Sequence, residues 1–379
     1  MRWTVVCRDG PRRVNHAAVA VNDRYVFTFG GFCSGEDYTR ILKMDVHMFD
    51  LHKLKWMKVS NVESDDYDST PFMRYGHTAS IVGRKIYIFG GRNEVYGACN
   101  RVFTFGINTF KWSIPNVYGT IPPPHDGHSA CVIACNIYIF GGYTDWLQRY
   151  SKDIYIFNTE KLTWTHPQVY GEAPSWRDFH TATAMGKYMY IFGGRGDMMG
   201  EIHSNQDVYD NKIVAFDTDK YTWQHIKTSG SIPLGRRSHS AVARGNCIYM
   251  FGGYNGSLRK HFNDIIKFNT DTKEWNSFVV SGEHPCPRRR HTCCILQDKV
   301  IIYGGSSPVH FDEYEGERHL QDHNDLFVLD FNPSLKTLCQ LALLKNRLDY
   351  NLLPPLLRKE LALMSTKTSQ QEHHTLAQG

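Results

Sequence analysis

HTASIVGRKIYIFGG, running from His77 to Gly91, is the stretch whose reading decides the fold. A histidine opens it, a run of aromatic and β-branched residues fills it, and a glycine pair closes it. The same pattern occurs six times, starting at His16, His77, His128, His180, His239 and His291 and ending at Gly30-Gly31, Gly90-Gly91, Gly141-Gly142, Gly193-Gly194, Gly252-Gly253 and Gly304-Gly305. From His77 onward the step from histidine to first glycine is 13 residues, and successive pairs lie 60, 51, 52, 59 and 52 residues apart. Self-similarity at such a period marks a repeat architecture.

The runs before the pairs (YVFTF, KIYIF, NIYIF, YMYIF, CIYMF, KVIIY) have the composition of buried strands. A second run follows each pair (VHMFD, RVFTF, DIYIF, KIVAF, DIIKF, DLFVL), and a short turn then leads to Trp56, Trp112, Trp164, Trp223 or Trp275. Each unit therefore supplies four short antiparallel strands, one blade of a β-propeller. A repeat of about 50 residues with a glycine pair follows the kelch pattern. The sixth unit lacks its tryptophan, but Trp3 stands in an N-terminal strand, Arg2-Trp3-Thr4-Val5-Val6. That strand is expected to complete the last blade and close the ring, which removes exposed sheet edges. The expectation is an all-β, six-bladed propeller over 1–331, a helical segment over 332–364 and a flexible polar tail over 365–379.

A length of 379 residues suits one propeller with an appendage. The formal charge of +5 gives no support to a nucleic-acid role. No apolar run is long enough to span a membrane, and no leader-like segment opens the chain. Ten scattered cysteines without a CxxC pair point to free thiols and a reducing compartment, cytoplasm and nucleus both remaining open. Two repeats carry extra residues, near 61–72 and 195–208.

In an up-and-down blade, the loop before the histidine and the loop after the glycine pair lie on one face, around the mouth of the central channel. Three residues before the histidine stand Arg13, Arg74, His125, Arg177, Arg236 and Arg288, a near-constant position that reads as a structural device. Two residues before it stand Val14, Tyr75, Asp126, Asp178, Arg237 and Arg289; after the pair stand Phe32, Arg92, Tyr143, Arg195, Tyr254 and Ser306. Varied positions on a constant frame are the candidate binding residues. Arg92, Arg195, Arg237 and Arg289 offer forks for a carboxylate, Asp126 and Asp178 a localised negative spot, and Tyr75, Tyr143, Tyr254 and Trp176 flat walls. The alternative is that these groups pair with one another in solvent. The six histidines recur at one position and read as repeat features rather than a metal cluster. No catalytic constellation appears and no cofactor is implied.

After Phe331 the composition turns helical. Asn332-Pro333 reads as a helix start, and Leu335, Leu338, Cys339, Ala342 and Leu343 form one apolar stripe. A second helix begins at Leu352-Leu353-Pro354-Pro355. Ser334-Leu335, Cys339 and Leu343 match the spacing of a BC box, the Elongin C-binding motif, and Leu353-Pro354, Leu357 and Leu361 resemble the Cul2 box that follows it. A kelch propeller with both boxes resembles the small kelch domain-containing family, as do the stretches GPRRVNHAAVAV, FCSGEDY, MRYGH, DGHSACV, WRDFH, GRRSHSA, PCPRRR and NPSLKTLC.

The resemblance implies a non-catalytic substrate receptor that joins Elongin B/Elongin C and cullin-2 with its RING subunit. Such receptors bind C-terminal degrons ending in glycine, with arginine, lysine or glutamine before it, and promote proteasomal degradation. The family's carboxylate-holding positions correspond here to Arg195, and to Arg237 with Ser238. A second family arginine has no counterpart between Gly196 and Glu201, so Arg236, Arg237 or Arg289 must compensate. Asp126 and Asp178 are the candidates for a basic penultimate residue. The last residues, Gln378-Gly379, would themselves suit such a pocket, within one molecule or between two; the alternative is an ordinary frayed terminus. The competing readings are a non-catalytic scaffold whose helices cap the propeller, and a chromatin-associated interaction protein.

Overall fold

The computed structural model describes residues 1–37, 42–59, 69–309 and 320–365. Alternating aromatic and β-branched runs become strands, and six blades result, each built on four antiparallel strands; three of them carry a short fifth strand, parallel to its neighbour at Tyr118–Gly119 and Ser229–Gly230. Blade 1 comprises Ala17–Val21, Tyr25–Phe29, Val46–Asp50 and Lys55–Lys58, hydrogen-bonded in that order from the axis outward. Blades 2 to 5 repeat the arrangement, with innermost strands Tyr75–Val82, Ser129–Ile133, Thr181–Met185 and Ser240–Arg244. Blade 6 comprises Thr292–Leu296, Lys299–Tyr303, Leu326–Asp330 and, from the opposite end of the chain, Arg2–Cys7. The six innermost strands contact one another in sequence, the last returning to the first. The N-terminal strand thus closes the ring, with Trp3 opposite Leu329.

The histidine and the glycine pair turn out to be one device. His77 lies directly opposite Gly90 in the hairpin register, which fixes the step of 13. A Cβ on Gly90 (φ +67°) would sit 2.3 Å from Cε1 of His128 in the next blade and 2.8 Å from the His125 carbonyl oxygen. A Cβ on Gly91 would sit 2.6 Å from Cβ of His77. The imidazole therefore fills the space the glycines leave, between its own blade and the one before. Its Nε2 also reaches the hydroxyl that follows the preceding histidine: Thr78 to His128 at 3.0 Å, Ser129 to His180 at 2.7 Å, Thr181 to His239 at 2.9 Å, Ser240 to His291 at 2.8 Å and Thr292 to His16 at 2.8 Å. Blade 1 has Ala17 there, and His77 Nε2 donates to the Phe29 carbonyl instead, at 3.1 Å. Burial lowers the pKa of His77, His180, His239 and His291 to about 3, so these rings are neutral staples at physiological pH.

The tryptophans form the outer counterpart. Trp56, Trp112, Trp164, Trp223, Trp275 and Trp3 each lie on the last aromatic before the glycine pair of the preceding blade: Tyr303, Phe29, Phe89, Phe140, Phe192 and Phe251, with centroids 4.4–6.1 Å apart. Trp3 takes the sixth place, so blade contacts are equivalent all the way round.

Two helices follow: α1, Leu335–Lys345, and α2, Pro355–Ser365. Ser334 caps α1 by accepting a hydrogen bond from the Thr337 amide. Among the described residues no helix is long and apolar enough to cross a membrane.

Candidate binding face at the propeller mouth

The two varied sets of loop residues do meet. Backbone bridges join Val14 to Phe32, Asp126 to Tyr143, Asp178 to Arg195, Arg237 to Tyr254 and Arg289 to Ser306, and in blade 2 Tyr75 pairs with Arg92 in the strand ladder. Every blade thus presents two adjoining varied side chains at one rim. Beyond the glycine pair, short hairpins extend that rim outward, such as Tyr143–Thr144 with Arg149–Tyr150 and Gly196–Asp197 with Asp207–Val208. The longer blade 4 loop leans onto blade 3: the Tyr150 amide donates to the Glu201 carbonyl at 2.8 Å, and Arg149 bridges to Ile202. The insertion near 195–208 therefore decorates the mouth. Of the insertion near 61–72, residues 61–68 lie outside the described residues.

Charge divides the rim. On blade 3, Asp126 is 5% exposed, and among the described residues its Oδ1 has no hydrogen-bond partner. Burial, with the neighbouring Asp178 charge, pushes its carboxyl up to about 7, against the pull of Arg92. A Cβ on Gly76 would come 3.2 Å from Asp126 Oδ2, so the absence of a side chain there leaves the carboxyl reachable from the axis. Blade 6 stands three blades from blade 3 in a ring of six, hence diametrically across. There Arg289 lies with Cζ 4.4 Å from the Tyr254 ring centroid, and Arg237 of blade 5 with Cζ 5.6 Å from it. Tyr254 is 1% exposed and also packs on His261, so it is a buried plate between two guanidinium groups rather than an open wall.

Other expected residues are placed differently. Asp178 and Arg195 neutralise each other through a two-point fork, Nε to Oδ1 at 3.1 Å and Nη2 to Oδ2 at 2.5 Å, with Asp178 almost fully buried. Arg236 does not face the mouth: it is 1% exposed, donates to the Gly252 carbonyl at 3.1 Å and to both Asp264 oxygens, and stacks on Phe262. Arg177 and Arg288 make the same glycine-carbonyl and aspartate contacts, so the constant arginine is the structural device its constancy suggests. Arg92 Nη1 donates to Asp145 at 3.2 Å. The Tyr75 hydroxyl donates to Glu94 at 2.6 Å and that of Tyr143 to Gln148 at 2.9 Å. Trp176 stacks under Lys152, with Nζ 3.8 Å from the ring.

The sequence reading passed over the position just before each histidine. Asn15, Gly76, Gly127, Phe179, Ser238 and Arg290 all have positive φ, 50–69°. Each donates its amide to the carbonyl of the equivalent residue one blade earlier, at 2.7–3.0 Å, so six backbone bonds close a ring around the axis. Ser238, expected to grip a carboxylate, spends its amide in this ring. With the histidines these residues line an axial cavity of about 120 Å³. They also form the floor of the mouth, bare at Gly76 and Gly127 and furnished at Phe179, Ser238, Arg290 and Asn15. The signal was available: five different residue types at one register position. Among the described residues no group of three or more His, Cys, Asp or Glu could hold a metal ion.

The apolar stripe of α1 is largely turned to solvent. Leu335 is 77% exposed, Leu338, Cys339 and Ala342 are exposed, and Leu343 is half-buried. The contact between the helices is polar: buried Gln340 through Nε2 and exposed Lys336 through Nζ both donate to Glu360 of α2. Leu353 and Leu357 are half-buried, Pro354 is exposed, and Leu361 is fully buried, which makes it a packing residue here.

Residues 76–305 match the family described as the KLHDC2/KLHL20/DRC7 Kelch-repeats domain. The chain is 46% identical over 372 residues to Kelch domain-containing protein 3 from Bos taurus and from Homo sapiens, covering 97% of this chain and 97% of each relative. It is 31% identical to Kelch domain-containing protein 1 from Mus musculus over 61% of this chain and 63% of that one. Host cell factor 2 from Homo sapiens matches at 28% identity, over 70% of this chain and 34% of that protein. The chain belongs to the kelch-repeat family of these Kelch domain-containing proteins.

Proposed function

We propose that this protein is the substrate-recognition subunit of a cullin-2 RING ubiquitin ligase, taking up protein C-termini that end in glycine and marking them for proteasomal degradation. The observation that carries the reading is the polarised mouth, with Arg237 and Arg289 around Tyr254 on one side and the unpartnered Asp126 carboxyl across from them. A chain end carries a carboxylate that suits the arginine side. A terminal glycine has no Cβ to keep that carboxylate from a confined floor. An arginine or lysine before the glycine would place a cation toward Asp126, and a glutamine there could donate its amide to it. Arg195, spent on Asp178, contributes by holding that aspartate neutralised rather than by clamping the ligand.

The exposed stripe of Leu335, Leu338, Cys339 and Ala342 supports a separate docking face for Elongin B/Elongin C. Leu353, Pro354 and Leu357 adjoin it as the cullin-2 contact. Catalysis would belong to the ligase partners. Work in both cytoplasm and nucleus fits free thiols. Gln378 and Gly379 lie outside the described residues; as a C-terminus of the proposed class they would compete for the mouth, in cis or between two copies.

The test is peptide binding to the purified full chain. A peptide ending in Arg-Gly should bind, and its C-terminal amide should bind at least about 30-fold more weakly, because buried arginines would lose their charged partner. Equal binding of acid and amide would overturn the degron reading. In the alternative, a scaffold whose helices only cap the propeller, the Lys336–Glu360–Gln340 contacts would serve to hold the two helices together. Co-purification with Elongin B and Elongin C, lost on changing Leu335 and Cys339 to serine, separates the two.

A further inference from the structure

Of the ten cysteines, Cys286 has a setting unlike the others. Cys131, Cys293 and Cys294 are enclosed in apolar strands, which pushes their thiols up to about 12 or beyond. Cys286 instead lies half-buried on the loop that enters blade 6, between Pro285 and Pro287. Its sulfur accepts a hydrogen bond from Arg288 Nη2 at 3.3 Å and lies 3.5 Å from His323 Nε2. The two partners come from different elements. Arg288 is held from behind by Asp325, through both oxygens, and by the Gly304 carbonyl. His323 is oriented by its amide, which donates to the Gly305 carbonyl at 2.8 Å, and by Ser307 Oγ, 2.7 Å from Nε2. Asp325 and, further out, the Arg8–Glu283 ion pair complete the charged surroundings. A thiol between a fixed guanidinium and an imidazole has the environment that stabilises thiolate, and these partners bring it down to about 7 against the opposing effect of burial.

We propose that Cys286 is a peroxide-sensitive modification site, coupled through Arg288 to the loop that carries Arg289 and Arg290 to the mouth. The thiolate attacks hydrogen peroxide: an S–O bond forms, the O–O bond breaks, and sulfur gives up two electrons. The departing hydroxide takes a proton from solvent and leaves as water, and the product is the sulfenic acid. Oxidation replaces the anionic sulfur that faces Arg288 Nη2. Arg288 anchors the backbone one residue before Arg289, so the site is positioned to change the mouth without being part of it. The proposal does not depend on what the mouth binds.

The test is a pulse of iodoacetamide on the native full chain across pH 5.5–9.5, read peptide by peptide by mass spectrometry, with glutathione as the reference thiol. Cys286 should reach half its maximal rate near pH 7, against about 8.5 for an ordinary thiol. Its rate at pH 7 should exceed the reference by only about threefold, because a lower pKa also lowers nucleophilicity. His323→Gln should move the half-point upward by about one pH unit. At micromolar peroxide a dimedone adduct should form on Cys286 and fall at least threefold in His323→Gln. A half-point above pH 8.5 in the wild-type chain, or dimedone labelling of Cys286 no greater than of Cys339, would overturn the proposal. Neither readout requires a variant to fold.

Discussion

Arg236 and Arg237 are neighbours in the chain and belong to different regions of the molecule. Arg236 repeats around the ring, lies buried and is committed to Gly252 and Asp264. Arg237 varies from blade to blade and lies over Tyr254 at the rim. The same contrast holds between the frame and the crown as wholes. Histidine, glycine pair and tryptophan join blades to each other, and the constant arginine ties its own blade together. The residues one and two before the histidine, and the one after the glycine pair, surround a shared axis, and their side chains differ from blade to blade. A repeat fold thus separates stability from recognition at single-residue resolution, and substitutions should read out that separation.

The largest effect should come from the frame at its one non-local joint. Deleting residues 1–7 removes the fourth strand of blade 6 and the Trp3 contact with Phe251. Loss of cooperative thermal unfolding, equivalent to more than about 4 kcal/mol, is expected; a melting curve like that of the intact chain would break the comparison at its root. Next, Gly90→Ala forces a Cβ against His128 and the His125 carbonyl at positive φ, and should cost about 2–4 kcal/mol in denaturant titrations.

The neighbouring pair gives the sharpest contrast. Arg236→Met should destabilise by about 2–4 kcal/mol, because Asp264 and the Gly252 carbonyl lose their partner. Arg237→Met should cost under about 0.5 kcal/mol of stability while weakening Arg-Gly peptide binding at least about tenfold. Equal stability losses would erase the distinction between frame and crown.

The smallest effect concerns Asp126. Its folded pKa is raised above the unfolded value of 3.8, so the folded state binds the proton more tightly and stability falls as pH rises from about 4 to 7. Asp126→Asn should therefore be more stable than wild type at pH 8, with the difference nearly gone at pH 4. On the binding side, affinity for a basic penultimate residue should drop as pH falls below 7, and the variant should lose that dependence. A pH-independent wild type would show that Asp126 is already ionised and paired.

The frame was legible because each of its parts is local or periodic. His77 and Gly90 face each other across one hairpin, so their spacing is fixed by register. Trp3 could be assigned to blade 6 because a ring of equivalent contacts leaves one vacancy. The crown was legible only as a set of positions. Nothing in the spacing of Asp178 and Arg195 shows that they fork onto each other, nor that Tyr254 is buried under two arginines. The apolar stripe of α1 was read from its period, but the side it turns to solvent depends on Glu360, 20 residues beyond Gln340.

The sequence by itself determined the number of blades, the closure by the N-terminal strand and the positions that surround the mouth, because a strict repeat converts spacing into geometry. Only the tertiary structure decided which charges are spent and which remain. Asp178 and Arg195 cancel, Arg236 is locked away, Asp126 keeps an unpartnered oxygen, and Cys286 meets His323 across 37 residues of chain. Those outcomes depend on distances of a few ångströms between loops of different blades, and electrostatic energy in a low-dielectric interior changes steeply over that range.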